Sequence, residues 1–168
     1  MDGIVKKITP EEVIERYADM VYRLALLQVK KQTDADDIFQ EVFIRLVSHI
    51  HKLQNWEHVK AWLIKVTINC SRKHFSRYSA RNVFPMEEVT ETSVTESGFA
   101  SVEGDGPVTA AVKRLPVKYR NIVHLFYYEE LSVAEIAGIT MQKETTVKSQ
   151  LFRAREMLKG MLEGEIAL

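Results

Sequence analysis

Between Arg81 and Lys113 the chain carries no basic residue at all, while Glu87, Glu88, Glu91, Glu96, Glu103 and Asp105 recur among Thr, Ser, Val and Gly. Such a stretch has little apolar surface and no helical period, so it reads as an extended linker that would not fold alone. It divides the 168 residues into two small domains, about 1–80 and about 107–168, joined by an acidic flexible linker over 81–106. With 46% apolar residues, the chain has enough hydrophobic surface for folded cores. Lys plus Arg and Asp plus Glu are equal at 23 each, so any nucleic-acid binding must come from local patches. The single cysteine, Cys70, rules out an internal disulfide. No run approaches the roughly 20 apolar residues of a membrane span, and MDGIVKKITPEE lacks the apolar stretch of a secretory signal. The expected location is the cytosol.

In the second domain, Leu131 to Leu158 reads as two short helices joined by a turn. Ser132 and Glu135 have capping-box spacing, with Leu131 and Ile136 placed for a hydrophobic staple. Gly138 and Thr140 interrupt this helix after little more than a turn and a half. From about Lys143 a second helix sets Val147, Leu151, Ala154 and Leu158 on one buried stripe. At about 100° per residue, Thr145, Lys148, Ser149, Phe152 and Arg153 fall on the other side. Donors, cations and one flat apolar ring suit a major groove, and the pair of helices makes a helix-turn-helix. Upstream, Pro107 opens a short helix with Val108, Ala111, Val112 and Leu115 on its apolar face. Pro116 opens another, whose buried stripe runs through Ile122, Val123, Phe126 and Tyr127. The tail after Leu158 has no evident function.

The first domain reads as three helices. Thr9, Pro10 and the acids after them form a strong helix start. That helix runs to about Lys30, buries Val13, Tyr17, Met20, Val21, Leu24 and Leu27, and sets Lys30 and Lys31 at its negative end. Thr33 begins a second helix with acids in its first turn and a broad apolar band of Ile38, Phe39, Val42, Phe43, Leu46, Val47 and Ile50. So short a connection makes the two antiparallel. Asp37, Gln40, Glu41 and Arg45 form a polar strip along the band's edge. After a loop through Leu53, Gln54 and Asn55, a third helix spans about Trp56 to Tyr78. It buries Val59, Trp62, Leu63, Val66 and Cys70 and sets Lys65, Asn69, Arg72 and Ser76 on one polar stripe, with Lys73, Arg77 and aromatic residues beside it. Cations interleaved with rings suit single-stranded nucleic acid.

Three blocks of wording resemble the bacterial sigma factors, in that family's order. EIA followed by TVKSQLFRAR resembles their fourth conserved region, which implies that Thr145, Lys148, Ser149, Phe152 and Arg153 contact the −35 promoter element. DADDIFQEVFIRL resembles the second-region helix that docks on the clamp coiled coil of RNA polymerase, which implies that Asp37, Gln40 and Glu41 touch polymerase with Phe43 and Val47 as apolar neighbours. AWLIKVTINCSRK resembles the segment with which the extracytoplasmic-function group melts and reads the −10 element. By that resemblance Lys65 and Asn69 carry base or backbone contacts, Arg72 and Lys73 hold phosphates, and the Gln54 to His58 loop helps form a base pocket. The family usually has glycine followed by an apolar residue in the helix-turn-helix turn, where this chain has Met141 and Gln142. Either the turn is built differently, or the first helix packs less firmly on the second.

The resemblance implies a transcription initiation factor without catalytic activity or cofactor. Its partners would be core RNA polymerase, promoter DNA and an anti-sigma factor. The alternatives are a free-standing helix-turn-helix regulator, which has no use for DADDIFQEVF, and a metalloenzyme assembled from His49, His51, Cys70 and His74, which lacks a second cysteine. No phosphate loop, nucleophile elbow or HExxH pattern occurs.

Overall fold

The computed structural model describes residues 7–81 and 106–166, and the segment taken as linker lies almost wholly outside them. The fold is all-helical and separates into two compact units. The first contains α1 (Pro10–Gln28), α2 (Gln32–His49), a 3₁₀ turn (Ile50–Lys52) and α3 (Trp56–Arg81). The second contains α4 (Pro107–Lys113), α5 (Val117–Val123), a π-helical turn (His124–Tyr128), α6 (Val133–Thr140) and α7 (Glu144–Ile166).

Thr9 caps α1, its hydroxyl accepting from the Glu12 amide at 3.2 Å and donating to the Glu12 carboxylate at 3.2 Å. The helix ends at Gln28, so Lys30 and Lys31 lie outside its last turn rather than within it. α1 packs closely on α3, with Val13, Val21, Leu24 and Ala25 buried on one and Val59, Leu63, Ile64 and Ile68 on the other. The buried hydroxyls of Thr67 and Ser71 donate to the carbonyls one turn back, at 2.6 and 2.7 Å, so this polar intrusion is satisfied within α3. α2 meets α1 through longer side chains. Tyr22 lies edge-on to Phe39 at 5.8 Å, Phe39 tilts against Phe43 at 4.8 Å, and the Tyr22 hydroxyl donates to Asp36 at 2.9 Å.

In the second unit α7 is the spine, packed by α4, α5 and α6. Its buried Val147, Leu151 and Ala154 match the predicted stripe. The helix does not stop near Leu158. It runs on to Ile166, and Leu158 and Met161 pack against the Leu115, Tyr119, Val123 and Ala154 cluster. The supposed tail therefore clamps α5, and its exposed Gly160 and Gly164 are tolerated inside a helix rather than ending it.

Two expectations for the upstream helices are corrected. Val108 is exposed on α4, where Ala111 is the buried contact. After Val123 the buried stripe passes to Leu125, fully buried, while Tyr127 is 53% exposed. The cause is the π-helical turn: the Glu129 amide donates to the His124 carbonyl five residues back, at 3.0 Å, and the wider turn rotates all that follows.

The capping box on α6 is present in full. Ser132 Oγ accepts from the Glu135 amide at 3.0 Å, and Glu135 accepts from the Ser132 amide at 3.4 Å, with Leu131 and Ile136 buried beside it. Gly138 stands inside this helix, which runs on to Thr140, and the break falls at Met141. Met141 adopts the left-handed conformation, φ 56° and ψ 43°, that a glycine takes without steric cost. The turn thus takes a backbone that suits glycine and carries a methionine there instead. Gln142, where the family has an apolar residue, is half-buried and its Oε1 has no hydrogen-bond partner. Because Met141 is 79% exposed, Met141→Gly removes no packing. It should stabilise the second unit by about 0.5–1 kcal/mol, the relief of a left-handed L-residue less the entropy glycine adds to the unfolded chain. A thermal melt should move up by a few degrees; an unchanged or lower midpoint would show that the turn holds no strain.

Candidate nucleic-acid and polymerase interfaces

On α7 all five predicted positions, Thr145, Lys148, Ser149, Phe152 and Arg153, are exposed, and Val147, Leu151 and Ala154 form the core stripe on the other side. Phe152 stands 64% exposed on a helix that has a hydrophobic core to join, so a ring on this face calls for a partner. Arg153 lies beside the Tyr119 hydroxyl of α5, and its guanidinium holds that phenol below its ordinary range. Arg155, which the sequence-based set omits, is braced from the π-helical turn by Tyr127.

On α3 the predicted Lys65, Asn69, Arg72 and Lys73 are all exposed. Lys65, Asn69, Arg72 and Ser76 share one stripe, and Lys73 turns toward α2. The Gln54 to His58 stretch is less of a loop than expected. Asn55 caps α3 through its side-chain oxygen, which accepts from the His58 amide at 2.8 Å, and Trp56 to His58 form the first helical turn. Trp56 is held from α1, with the Arg16 guanidinium 4.5 Å above its ring and Tyr17 at 6.1 Å. Gln54 and His58 are exposed at the rim of this anchored turn.

On α2, Asp37, Gln40, Glu41 and Val47 are exposed, Val47 at 61%. Phe43 is 8% exposed and belongs to the aromatic stack with Phe39, so it supports this face from beneath and offers little surface of its own. Ile44, 66% exposed, was missed. Four residues after Gln40 and three before Val47, it completes the face with Asp37 and Glu41, and that spacing was the available signal. Arg45 pairs with Glu41 at 2.9 Å.

Between α2 and α3 runs an open groove of about 440 Å³, with Asp34, Asp37 and Glu41 on one wall and Lys73, His74 and Arg77 on the other. His74 Nε2 lies 3.0 Å from Asp34, while His49 stacks on Trp62 at 5.0 Å, so the two rings have separate neighbours. Cys70 lines the groove but is 4% exposed, and burial pushes its thiol up, keeping it protonated. The groove makes the α2 acids and the α3 cations contiguous.

A helix-turn-helix with an exposed basic face, and in the other unit a helix with its own basic stripe, suit a protein that binds DNA. Residues 13–81 match Sigma-70 region 2 and residues 106–158 match Sigma-70, region 4. The chain is 31% identical to the RNA polymerase sigma factor SigV of Bacillus subtilis over 86% of this chain and 85% of that one. It is 30% identical to the ECF RNA polymerase sigma factor SigM of the same organism over 92% and 95%. The fold resembles that of the sigma factor RpoE from Bartonella quintana, solved in complex with the anti-sigma factor NepR, with a TM-score of 0.67 at 19% identity over 91% and 96% of the two chains. It also resembles CnrH, solved with the cytosolic domain of CnrY, at a TM-score of 0.62. The chain belongs to the extracytoplasmic-function family of RNA polymerase sigma factors: it is non-enzymatic, binds core polymerase and directs it to promoters. No helix among the described residues is long and apolar enough to cross a membrane.

Proposed function

We propose that the work of this sigma factor is divided by helix. The face of α2 formed by Asp37, Gln40, Glu41, Ile44 and Val47 docks on the polymerase clamp. The α3 stripe of Lys65, Asn69, Arg72 and Lys73, with the anchored turn at Gln54 to His58, holds the opened −10 element. α7 reads the −35 duplex through Thr145, Lys148, Ser149, Phe152 and Arg153. The observation that carries this division is exposure: every polar and charged candidate lies at the surface on a helix whose other side is core. The domain limits that go with it are 1–80 and 107–168, joined by the acidic segment. The RpoE and CnrH complexes support a protein anti-sigma partner for this chain, acting in the cytoplasm where core polymerase is found.

Two variants in the assembled holoenzyme test the division. Arg153→Ala should lower affinity for promoter duplex by about tenfold, as loss of one base or phosphate contact does. Asn69→Ala should leave polymerase binding and most duplex affinity intact but lose strand opening, read as permanganate reactivity of unpaired thymines. Equal loss of duplex binding in both variants would refute the assignment.

A further inference from the structure

The reading helix carries a further cation, Arg155, that is held in place by side chains of another element. Arg155 is exposed, yet its Nε donates to the Tyr127 hydroxyl at 2.5 Å, and its guanidinium lies 5.5 Å from the Tyr127 ring and 5.7 Å from the Phe126 ring. These rings stand edge to face at 4.9 Å. They are delivered there by the π-helical turn, which buries Leu125 and turns Tyr127 outward. A free arginine on a helix surface loses rotamer entropy when it grips a ligand, whereas an arginine already hydrogen-bonded and stacked loses much less.

Its place on the helix indicates what it grips. Arg155 follows Lys148 by seven residues, so the two share one edge of α7, roughly 10 Å apart along the axis. Arg153 lies on the opposite edge, and Ser149 and Phe152 lie between. A helix inserted in a major groove presents its centre to base edges and its margins to the sugar-phosphate walls. With Nε bonded to Tyr127, the terminal NH₂ pair of the guanidinium is the part that can meet two phosphate oxygens.

We propose that Arg155, positioned by Tyr127, is a backbone clamp for the promoter duplex, gripping a phosphodiester at the margin of the groove that α7 enters. This rests on α7 being the duplex reader, and Tyr127 is a positioning residue that acts through Arg155. Such a contact carries charge but no base identity. It should therefore set affinity and salt dependence without setting sequence preference.

The test uses holoenzyme assembled with the full chain, binding a −35-bearing duplex and a scrambled duplex across a salt series. Arg155→Ala should weaken both duplexes by the same factor, about five- to tenfold, and make the slope of log K against log salt shallower by about 0.9. Arg155→Lys keeps the charge and should keep the slope. Tyr127→Phe removes only the hydroxyl and should cost a few-fold in affinity at unchanged slope, which a merely structural role would not separate. Wild-type affinity and slope in Arg155→Ala would overturn the proposal, as would a loss confined to the −35 duplex. The double variant Ser149→Ala with Phe152→Ala tells the failures apart. If it loses discrimination while Arg155→Ala is silent, only the clamp is wrong; if both are silent, α7 is not the duplex reader.

Discussion

Replacing Gln40 and Glu41 together with lysine should reduce binding of the chain to core polymerase by roughly 30-fold or more, the cost of reversing charge in a close interface. The fold should survive it. Both side chains are exposed on α2, and the face opposite them carries Ala35, Ile38, Val42 and Leu46 into the core. Glu41 does lose its contact with Arg45, but the two are 47% and 35% exposed, and a pair so wet contributes little. The lysine at position 41 also faces Lys73 and Arg77 across the groove, where repulsion adds a modest further cost. The net destabilisation should stay near 1 kcal/mol, a shift of a few degrees in melting temperature. Ile44→Ala should cost little in folding and weaken polymerase binding, since its side chain is largely exposed. Capture on immobilised polymerase, read beside circular dichroism, checks both. If the variant stays folded and captured polymerase matches that of the unmodified chain, α2 is not the docking face.

Docking of polymerase on α2 would carry a consequence for DNA through the groove between α2 and α3. Three carboxylates on α2 face Lys73, His74 and Arg77 on α3, so the acids temper the positive potential that α3 presents. A basic partner seated on Asp37 and Glu41 would neutralise that wall and leave the cations stronger toward phosphate. Polymerase binding and DNA binding would then favour each other by the same factor, as linkage requires.

Local chemistry made much of this legible. The threonine cap of α1, the capping box of α6 and the stripe of α7 depend on residues within one or two turns, and such spacing survives in a sequence unaltered. The exposed candidates on α3 and α7 follow from the same periodicity. What stayed hidden depends on register or on distant partners. Nothing in LFYY distinguishes an α-helical turn from a π-helical one, and one extra residue in the turn exchanges buried for exposed. Phe43 reads as part of a band wide enough to reach the surface, but Phe39, one turn back on the same helix, packs against it, with Tyr22 of α1 edge-on to Phe39. The residues after Leu158 read as a tail, yet the packing of Leu158 and Met161 onto α5 carries the helix on through them.

The π-helical turn supplies the sharpest test, because periodicity and structure expect opposite results from two neighbouring residues. If the α-helical stripe continued beyond Val123, Tyr127 would be core and its truncation the damaging one. With the turn in place, Leu125→Ala should cost about 2–5 kcal/mol, the range for emptying a fully enclosed leucine site. Tyr127→Ala should cost about 1 kcal/mol or less, losing one exposed hydrogen bond and an exposed ring contact. In a unit this small the larger loss approaches the whole stability of a domain. Leu125→Ala should therefore melt the second unit near or below working temperature and abolish −35 duplex binding. Unit 1 has its own core, so its helical signal and its capture of polymerase should remain. Two-step thermal melts followed by circular dichroism, with polymerase capture measured on the same samples, separate the outcomes. A Tyr127→Ala loss equal to or larger than that of Leu125→Ala would mean that the helix continues in α register and that the π-helical turn is absent.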